Sequence, residues 1–210
     1  MTWAAPALTL VAGLFSVLAL LVKQRWPPLR HLDTTAGAVL HGYALSHRPF
    51  AAAMGALSTL GSMPVYVVVL TVVAGWWWRR GQHRITVFVA TTVMGGSLLN
   101  TLAKLMFNRA RPMLPDPLVL TSGLNFPSGH AQAAVVNCSV VLIVFWRLLH
   151  TAGRSVALAV ATMLVLGIGV SRVTLGVHFV SDVLAGYVLG GAWTLTMTIF
   201  FWPRGHGPSA

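Results

Sequence analysis

Long apolar runs, separated by short clusters of polar and basic residues, dominate this chain. A helix needs about 20 mainly apolar residues to cross a bilayer. Six segments meet or approach that length: 4–22, 57–78, 85–107, 131–149, 155–171 and 178–202. The fifth is short, and the second contains Pro64, which a membrane helix tolerates where neighbouring helices satisfy the freed carbonyl. Gly95 and Gly96 in the third segment, and Gly186, Gly190 and Gly191 in the sixth, predict close helix contacts. No internal repeat or linker divides the sequence, so residues 1–210 form one expected domain. The opening stretch MTWAAPALTLVAGLFSVLALLV has no basic residue before its apolar run, and that run exceeds a signal-peptide core. It predicts an uncleaved membrane helix.

A different pattern fills the interval between the first two spans, WPPLRHLDTTAGAVLHGYALSHRPF. Leu32, Ala36, Val39, Leu40 and Tyr43 recur at helical spacing, with Arg30, Asp33 and His41 off that stripe. This predicts an amphipathic helix lying on the membrane surface. His31, His41 and His47 are expected there as interfacial residues rather than metal ligands.

Composition agrees with a bilayer. Hydrophobic residues make up 56% of the 210 positions and charged residues only 8%, against roughly 25% in soluble domains; mean hydropathy is +0.77. The expected fold class is all-α, a bundle of six transmembrane helices with one interfacial helix. The net charge of +11 does not indicate a nucleic-acid partner. It arises because acids are scarce: there is no Glu, and the only Asp residues are Asp33, Asp116 and Asp182. Basic residues beside apolar spans belong among lipid headgroups. Cys138 is alone in an apolar run, which excludes an intramolecular disulfide and a cysteine metal cluster.

Six spans place Arg79, Arg80, Arg84, Arg147 and Arg154, and Arg204 after the last helix, on one side of the membrane. The positive-inside rule makes that side cytoplasmic, although Lys23, Arg25 and Arg30 follow the first span on the other. The remaining polar segments fall on the non-cytoplasmic side of this cell-membrane protein.

Three of those segments carry candidate chemistry. In KLMFNRARP, Lys104 and Arg111 are two helical turns apart and can share a face, with Pro112 ending the segment. An ammonium and a guanidinium there suit phosphate; they equally suit snorkelling to headgroups. In FPSGH, Ser128 fits an N-cap, Gly129 allows close approach to the backbone, and His130 stands in the first turn of the next helix. Helix N-termini attract anions, yet Ser and Gly at helix starts are common. In SRVTLGVHFVSD, His178 and Asp182 are four residues apart, within reach on one helix face, and Arg172 precedes them across a turn at Gly176. A carboxylate inside a span demands a partner. An Asp holding one imidazole nitrogen leaves the other as nucleophile or base; a purely structural His–Asp pair is the alternative.

Taken in order, these segments resemble the phosphatidic acid phosphatase type 2 superfamily. Its pattern is Lys, six residues and Arg-Pro; then Pro-Ser-Gly-His; then Ser-Arg, five residues, His, three residues and Asp. Here it reads Lys104 to Arg111-Pro112, Pro127 to His130, and Ser171-Arg172 to His178 and Asp182, with every spacing matched over 104–182. The resemblance implies His178 as a nucleophile forming a phosphohistidine, oriented by Asp182, with His130 as the acid on the leaving oxygen. Lys104, Arg111, Ser128, Gly129 and Arg172 would cradle the phosphoryl oxygens. It also implies hydrolysis without metal or cofactor, and a membrane-lipid phosphate as substrate: phosphatidic acid, phosphatidylglycerol phosphate or undecaprenyl diphosphate. No obligate protein partner is expected. A phosphotransferase using the same residues, or a transporter or scaffold without catalysis, are the alternatives.

Overall fold

A computed structural model describes residues 4–114 and 116–202, all helix and loop. The helices are α1 (Ala4–Lys23), α2 (Pro27–Ser46), α3 (Arg48–Leu60), α4 (Met63–Arg79), α5 (His83–Phe107), α6 (Gly129–Phe145), α7 (Thr151–Thr174) and α8 (Val180–Phe201), with a 3₁₀ turn at Trp146–Leu148 after α6. Five helices are long and apolar enough to span a membrane, and α3 and α4, bent by 45°, pass the same test as a pair, giving up to six spans. Arg204 lies outside the described residues.

The second span is therefore broken, not continuous over 57–78 as its hydropathy predicts. The chain interrupts the helix at Gly61-Ser62, so Pro64 falls in the first turn of α4, where its missing N–H is not needed. The fifth span is not short either. Helix α7 runs for 24 residues, because Arg154 at one end and Ser171-Arg172 at the other are helical despite their polarity.

Outward-facing surfaces are strongly apolar. Val68, Val72, Met94, Leu98, Met163 and Phe200 are all more than 60% exposed, a liability in water and the expected lining of a helix bundle in lipid. Between α4, α5 and α6 lies the main core, where Trp77, Ile85, Phe88, Val89 and Val140 interlock. At the same end of the bundle, Arg80 stacks on Trp76 at 4.1 Å and Arg154 on Trp146 at 5.2 Å. Such amphipathic pairs anchor a bundle at the membrane–water interface.

Helices α6 and α8 make the most intimate contact. A side chain on Gly186 would stand 2.6 Å from the Ser128 carbonyl, and one on Gly190 2.8 Å from the Gln132 carbonyl. Gly95 and Gly96 seat the Trp193 ring; Gly191 faces open space and has no such role.

The amphipathic helix is present as α2, but its orientation is inverted. Asp33, His41 and Ala44 are its buried residues, whereas Leu32, Val39 and Tyr43 are 47%, 64% and 50% exposed. Asp33 and His41 face the bundle while Arg30 is exposed; Leu32, Val39 and Tyr43 of the stripe face outward, and Leu40 packs against the core at Ala131, Val173 and Val183. Asp33 and His41 have polar partners on α8 and α7, which water would otherwise have to supply.

Candidate active site

One end of the bundle gathers the finish of α5 and α7, the start of α6 and α8, and the loop 108–128. Each candidate arrives there for a local reason. Helix α5 stops at Phe107 because Asn108 adopts a left-handed conformation (φ 44°) and its N–H caps Lys104 at 3.0 Å. Lys104 is thus in the last helical turn, and Arg111 lies in the loop beyond it rather than on the same helix face. They still converge on neighbouring carbonyls. Lys104 Nζ donates to Leu124 O at 2.7 Å, while Arg111 donates through Nε to Gly123 O at 3.2 Å and through Nη1 to Val177 O at 2.8 Å.

Helix α7 ends in a tight turn at Gly176, whose φ of 74° is strained for other residues. That turn lets the N–H groups of Val177 and His178 both reach the Arg172 carbonyl, at 3.1 and 3.2 Å. Arg172 itself is buried. Its Nη1 donates to Ser58 Oγ on α3, and its Nε has no partner.

His178 precedes α8 rather than lying on it, since Phe179 is the N-cap. Asp182 is the third residue of the helix and accepts from the Phe179 N–H at 2.8 Å, as an acid in the first turn should. The chain's turn, not a shared helix face, brings the two together. His178 Nδ1 stands 3.6 Å from Asp182 Oδ2, an electrostatic contact longer than a formed hydrogen bond. Burial pushes the His178 imidazole down to about 4; Asp182 opposes this, and the charges of Arg172 and Arg111 add to it. Burial likewise lowers the Arg111 guanidinium, with Asp182 opposing.

Ser128 occupies the N-cap position of α6, but its hydroxyl does not cap. Its backbone N–H donates to the Asp182 carbonyl at 2.9 Å, and its buried Oγ has no partner. Gly129 faces α5, where a side chain would meet Asn100 Oδ1 at 3.1 Å. His130, in the first turn, is half-buried.

His130 lies within charge–charge range of Lys104, Arg111, Arg172 and His178. The two histidines face different spaces. His178 lines a cavity of about 180 Å³ beneath α2, with Asp33, Met113 and Phe179. His130 lines another of about 220 Å³ between α4, α5 and α6. Among the described residues, no three His, Cys, Asp or Glu side chains come together as a metal site.

Several supporting residues escape sequence reasoning. Arg109 donates to Asp182 Oδ1 at 2.6 Å, to Asp33 Oδ2 at 2.9 Å and to Ser181 Oγ at 2.7 Å. Asn125 Nδ2 donates to Asp182 Oδ2 at 2.5 Å. Asp33 also accepts from the Ser181 N–H at 2.8 Å and hydroxyl at 2.6 Å. His41 Nδ1 lies 3.1 Å from the Thr174 carbonyl. The scarcity of acids was the available signal. Two of only three Asp residues meet one arginine.

Fold and site together define a multi-pass helical membrane protein with cations and two histidines clustered at one end of its bundle. Residues 84–206 match the PAP2 superfamily, and the chain belongs to that superfamily. Phosphatidylglycerophosphatase B of Bacillus subtilis (strain 168) is 36% identical over 112 residues, 51% of each chain. The match thus spans about half the length of that relative. The crystal structure of the first transmembrane PAP2 type phosphatidylglycerolphosphate phosphatase from Bacillus subtilis superimposes with a TM-score of 0.82, at 24% identity, covering 95% of this chain and 98% of that one. Aquifex aeolicus LpxE gives a TM-score of 0.62 at 21% identity, over 79% of this chain and 94% of that one. At these identities the two structures establish the shared fold.

Proposed function

We propose that this protein is a membrane lipid phosphatase that removes a terminal phosphate or diphosphate through a phosphohistidine at His178. One observation carries the reading. Lys104 and Arg172 from the ends of α5 and α7, with Arg111 from the adjoining loop, gather beside His130 and His178, and the buried Ser128 Oγ and Arg172 Nε have no partner. Unpaired buried donors are costly unless a ligand completes them. A phosphoryl group supplies the acceptors they lack.

The chemistry follows in two steps. Nδ1 of His178 faces Asp182, which leaves Nε2, unprotonated at neutral pH, to attack phosphorus. The bond to the leaving oxygen breaks as His130 donates its proton to that oxygen. Water then attacks the phosphohistidine, its proton passing to His130, and inorganic phosphate leaves with His178 restored. Lys104, Arg111, Arg172, Ser128 and the backbone N–H of Gly129 hold the phosphoryl oxygens, whose charge they neutralise without a metal ion. The names of the relatives, a phosphatidylglycerophosphatase and a phosphatidylglycerolphosphate phosphatase, support a phosphorylated glycerolipid as substrate; phosphatidic acid and undecaprenyl diphosphate share the required terminal group.

The Arg- and Trp-rich opposite end, with Arg79, Arg80, Arg84, Arg147 and Arg154, supports an active site on the non-cytoplasmic face of the cell membrane. Release of inorganic phosphate from these three lipids in detergent, with excess chelator present, is the direct test. Turnover should persist in chelator and be inhibited by vanadate, which mimics five-coordinate phosphorus. Activity abolished by chelator and restored by magnesium would refute the metal-free mechanism; no phosphate from any lipid would refute the phosphatase.

A further inference from the structure

We propose that Ser58 is a positioning residue for phosphoryl transfer, holding the Arg172 guanidinium in place from helix α3. The break in the second span brings it there. The inference rests on the phosphatase reading and deepens it.

Helix α3 buries a single residue, and that residue is a serine. Its neighbour Thr59 is exposed and donates back to the Gly55 carbonyl at 3.0 Å, a common use of a hydroxyl inside a helix. Ser58 instead accepts from Arg172 Nη1. Both residues are nearly enclosed, at 7% and 5% exposure. Among the described residues this is the one hydrogen bond of the Arg172 side chain, whose Nε has no partner. Arg109 shows the contrast, because Asp33 and Asp182 take up its charge. Serine is neutral. Arg172 is therefore fixed in direction and keeps its charge for a phosphoryl oxygen.

Ser58 reaches Arg172 because the span breaks. The Gly61 N–H closes the last turn of α3 on the Leu57 and Ser58 carbonyls, at 3.2 and 3.1 Å, and the chain then bends by 45° into α4. Before the break, α3 lies against α7. A side chain on Gly61 would stand 2.6 Å from Ile168 Cγ2, and one on Gly167 3.4 Å from Leu57 Cδ1. After the break, Tyr66, Leu70, Val73 and Trp77 of α4 join the core with Phe88 and Val89 of α5. A straight helix could not follow both neighbours. On α7, Ile168 and Arg172 are one turn apart, as Gly61 and Ser58 are at the end of α3. The packed pair, Gly61 on Ile168, thus sets the register of the bonded pair.

The test uses the full chain in detergent and reads the vanadate dissociation constant by vanadium NMR. That constant does not depend on how much of the protein is folded, so lost stability alone leaves it unchanged. Ser58→Ala should raise it about tenfold, the scale of one hydrogen bond to a charged group, and lower kcat/KM in proportion. Thr59→Ala, one residue away, should leave both within about twofold. In an Arg172→Met background there is no guanidinium to place. Adding Ser58→Ala there should change vanadate affinity by less than about twofold. Unchanged affinity in Ser58→Ala, or the full tenfold in the Arg172→Met background, would overturn the positioning role. Wild-type enzyme that binds no vanadate and releases no phosphate from any lipid would instead sink the phosphatase reading itself.

Discussion

Asp33 and Asp182 are cross-linked through a single guanidinium: Arg109 donates to Asp33 at 2.9 Å and to Asp182 at 2.6 Å. One acid belongs to the outward-lying helix α2, the other stands beside the candidate nucleophile, and both are buried. Ser181 extends the link by donating to Asp33 through its N–H and hydroxyl. Helix α2 is thereby fixed to the start of α8, the element that aims His178.

Removing Arg109 leaves two buried carboxylates without their cation, a change that typically costs about 3–5 kcal/mol. Arg109→Ala should lower the melting temperature in detergent and abolish turnover. Arg109→Lys should recover only part of both, because an ammonium lacks the fork that spans two carboxylates. Asp33→Asn, which keeps volume and some hydrogen bonding, should stay folded and lose roughly tenfold in kcat. Wild-type kcat in Asp33→Asn would make the α2 link irrelevant to catalysis.

Asp182 accepts from Arg109, Asn125 and the Phe179 N–H and faces His178, and Asp182→Asn removes its charge while keeping its shape. The amide oxygen can still accept from the Phe179 N–H, so the turn should survive. Its charge no longer sets the His178 tautomer or stabilises an imidazolium, a loss that costs on the order of 10⁴ in hydrolase triads. Turnover should fall by roughly 10²–10⁴ with the protein folded, as judged by circular dichroism and kcat. Near-normal kcat would reduce the pair to a structural role.

The depressed pKa of His178 has a defined sign. At about 4 in the folded protein, against about 6.5 unfolded, the folded state prefers the neutral ring. Its contribution to stability is fully present above pH 6.5 and is lost as pH falls through that window toward 4. The proposed nucleophile stays unprotonated over the same range. The acid limb of kcat/KM, corrected for ionisation of the substrate phosphate, should therefore lie well below 6.5. In Asp182→Asn it should move lower still, because the carboxylate opposes burial. Titration of the His178 ring carbon by NMR checks the value directly.

Much of this was legible in the sequence, and the exceptions have a common cause. Lys104, Arg111, Ser128, Arg172, His178 and Asp182 announce themselves because their spacing within short segments is tied to local turns. Arg109, Asn125 and Ser58 act through contacts between elements far apart in sequence, and no local spacing records those. Helix α2 shows a different failure. Periodicity finds an amphipathic helix but not which face meets the protein. In lipid Leu32, Val39 and Tyr43 turn outward, and Asp33 and His41 turn in. The break at Gly61 was visible as Gly-Ser before Met-Pro, although hydropathy alone runs straight through it.

Close contact between α6 and α8 holds Ser128 and His130 in place. A side chain on Gly190 would press on the Gln132 carbonyl at 2.8 Å, and backbone cannot move aside as a side chain can. Overpacking typically costs about 1–3 kcal/mol. Gly190→Ala should lower the melting temperature and reduce kcat, whereas Gly191→Ala, whose Cβ meets nothing within 4 Å, should do neither. Equal effects at the two positions would contradict the packing assigned here.

The two histidines are separable by leaving group. As a general acid, His130 matters more as the departing oxygen becomes more basic. A lipid alkoxide needs the proton, and a nitrophenolate barely does. His130→Ala should therefore lose far more activity on a phospholipid than on an aryl phosphate in the first, phosphoryl-transfer step. His178→Ala should fail on both, because it removes the proposed nucleophile. Single-turnover assays are required, because the proposed role of His130 in activating water would also slow the second step and mask the first. With aryl phosphate, acid-labile and base-stable label should accumulate on the His130 variant and never on the His178 variant. Label retained by His178→Ala would move the nucleophile elsewhere, and equal losses of the His130 variant on both substrates would remove its role as the acid.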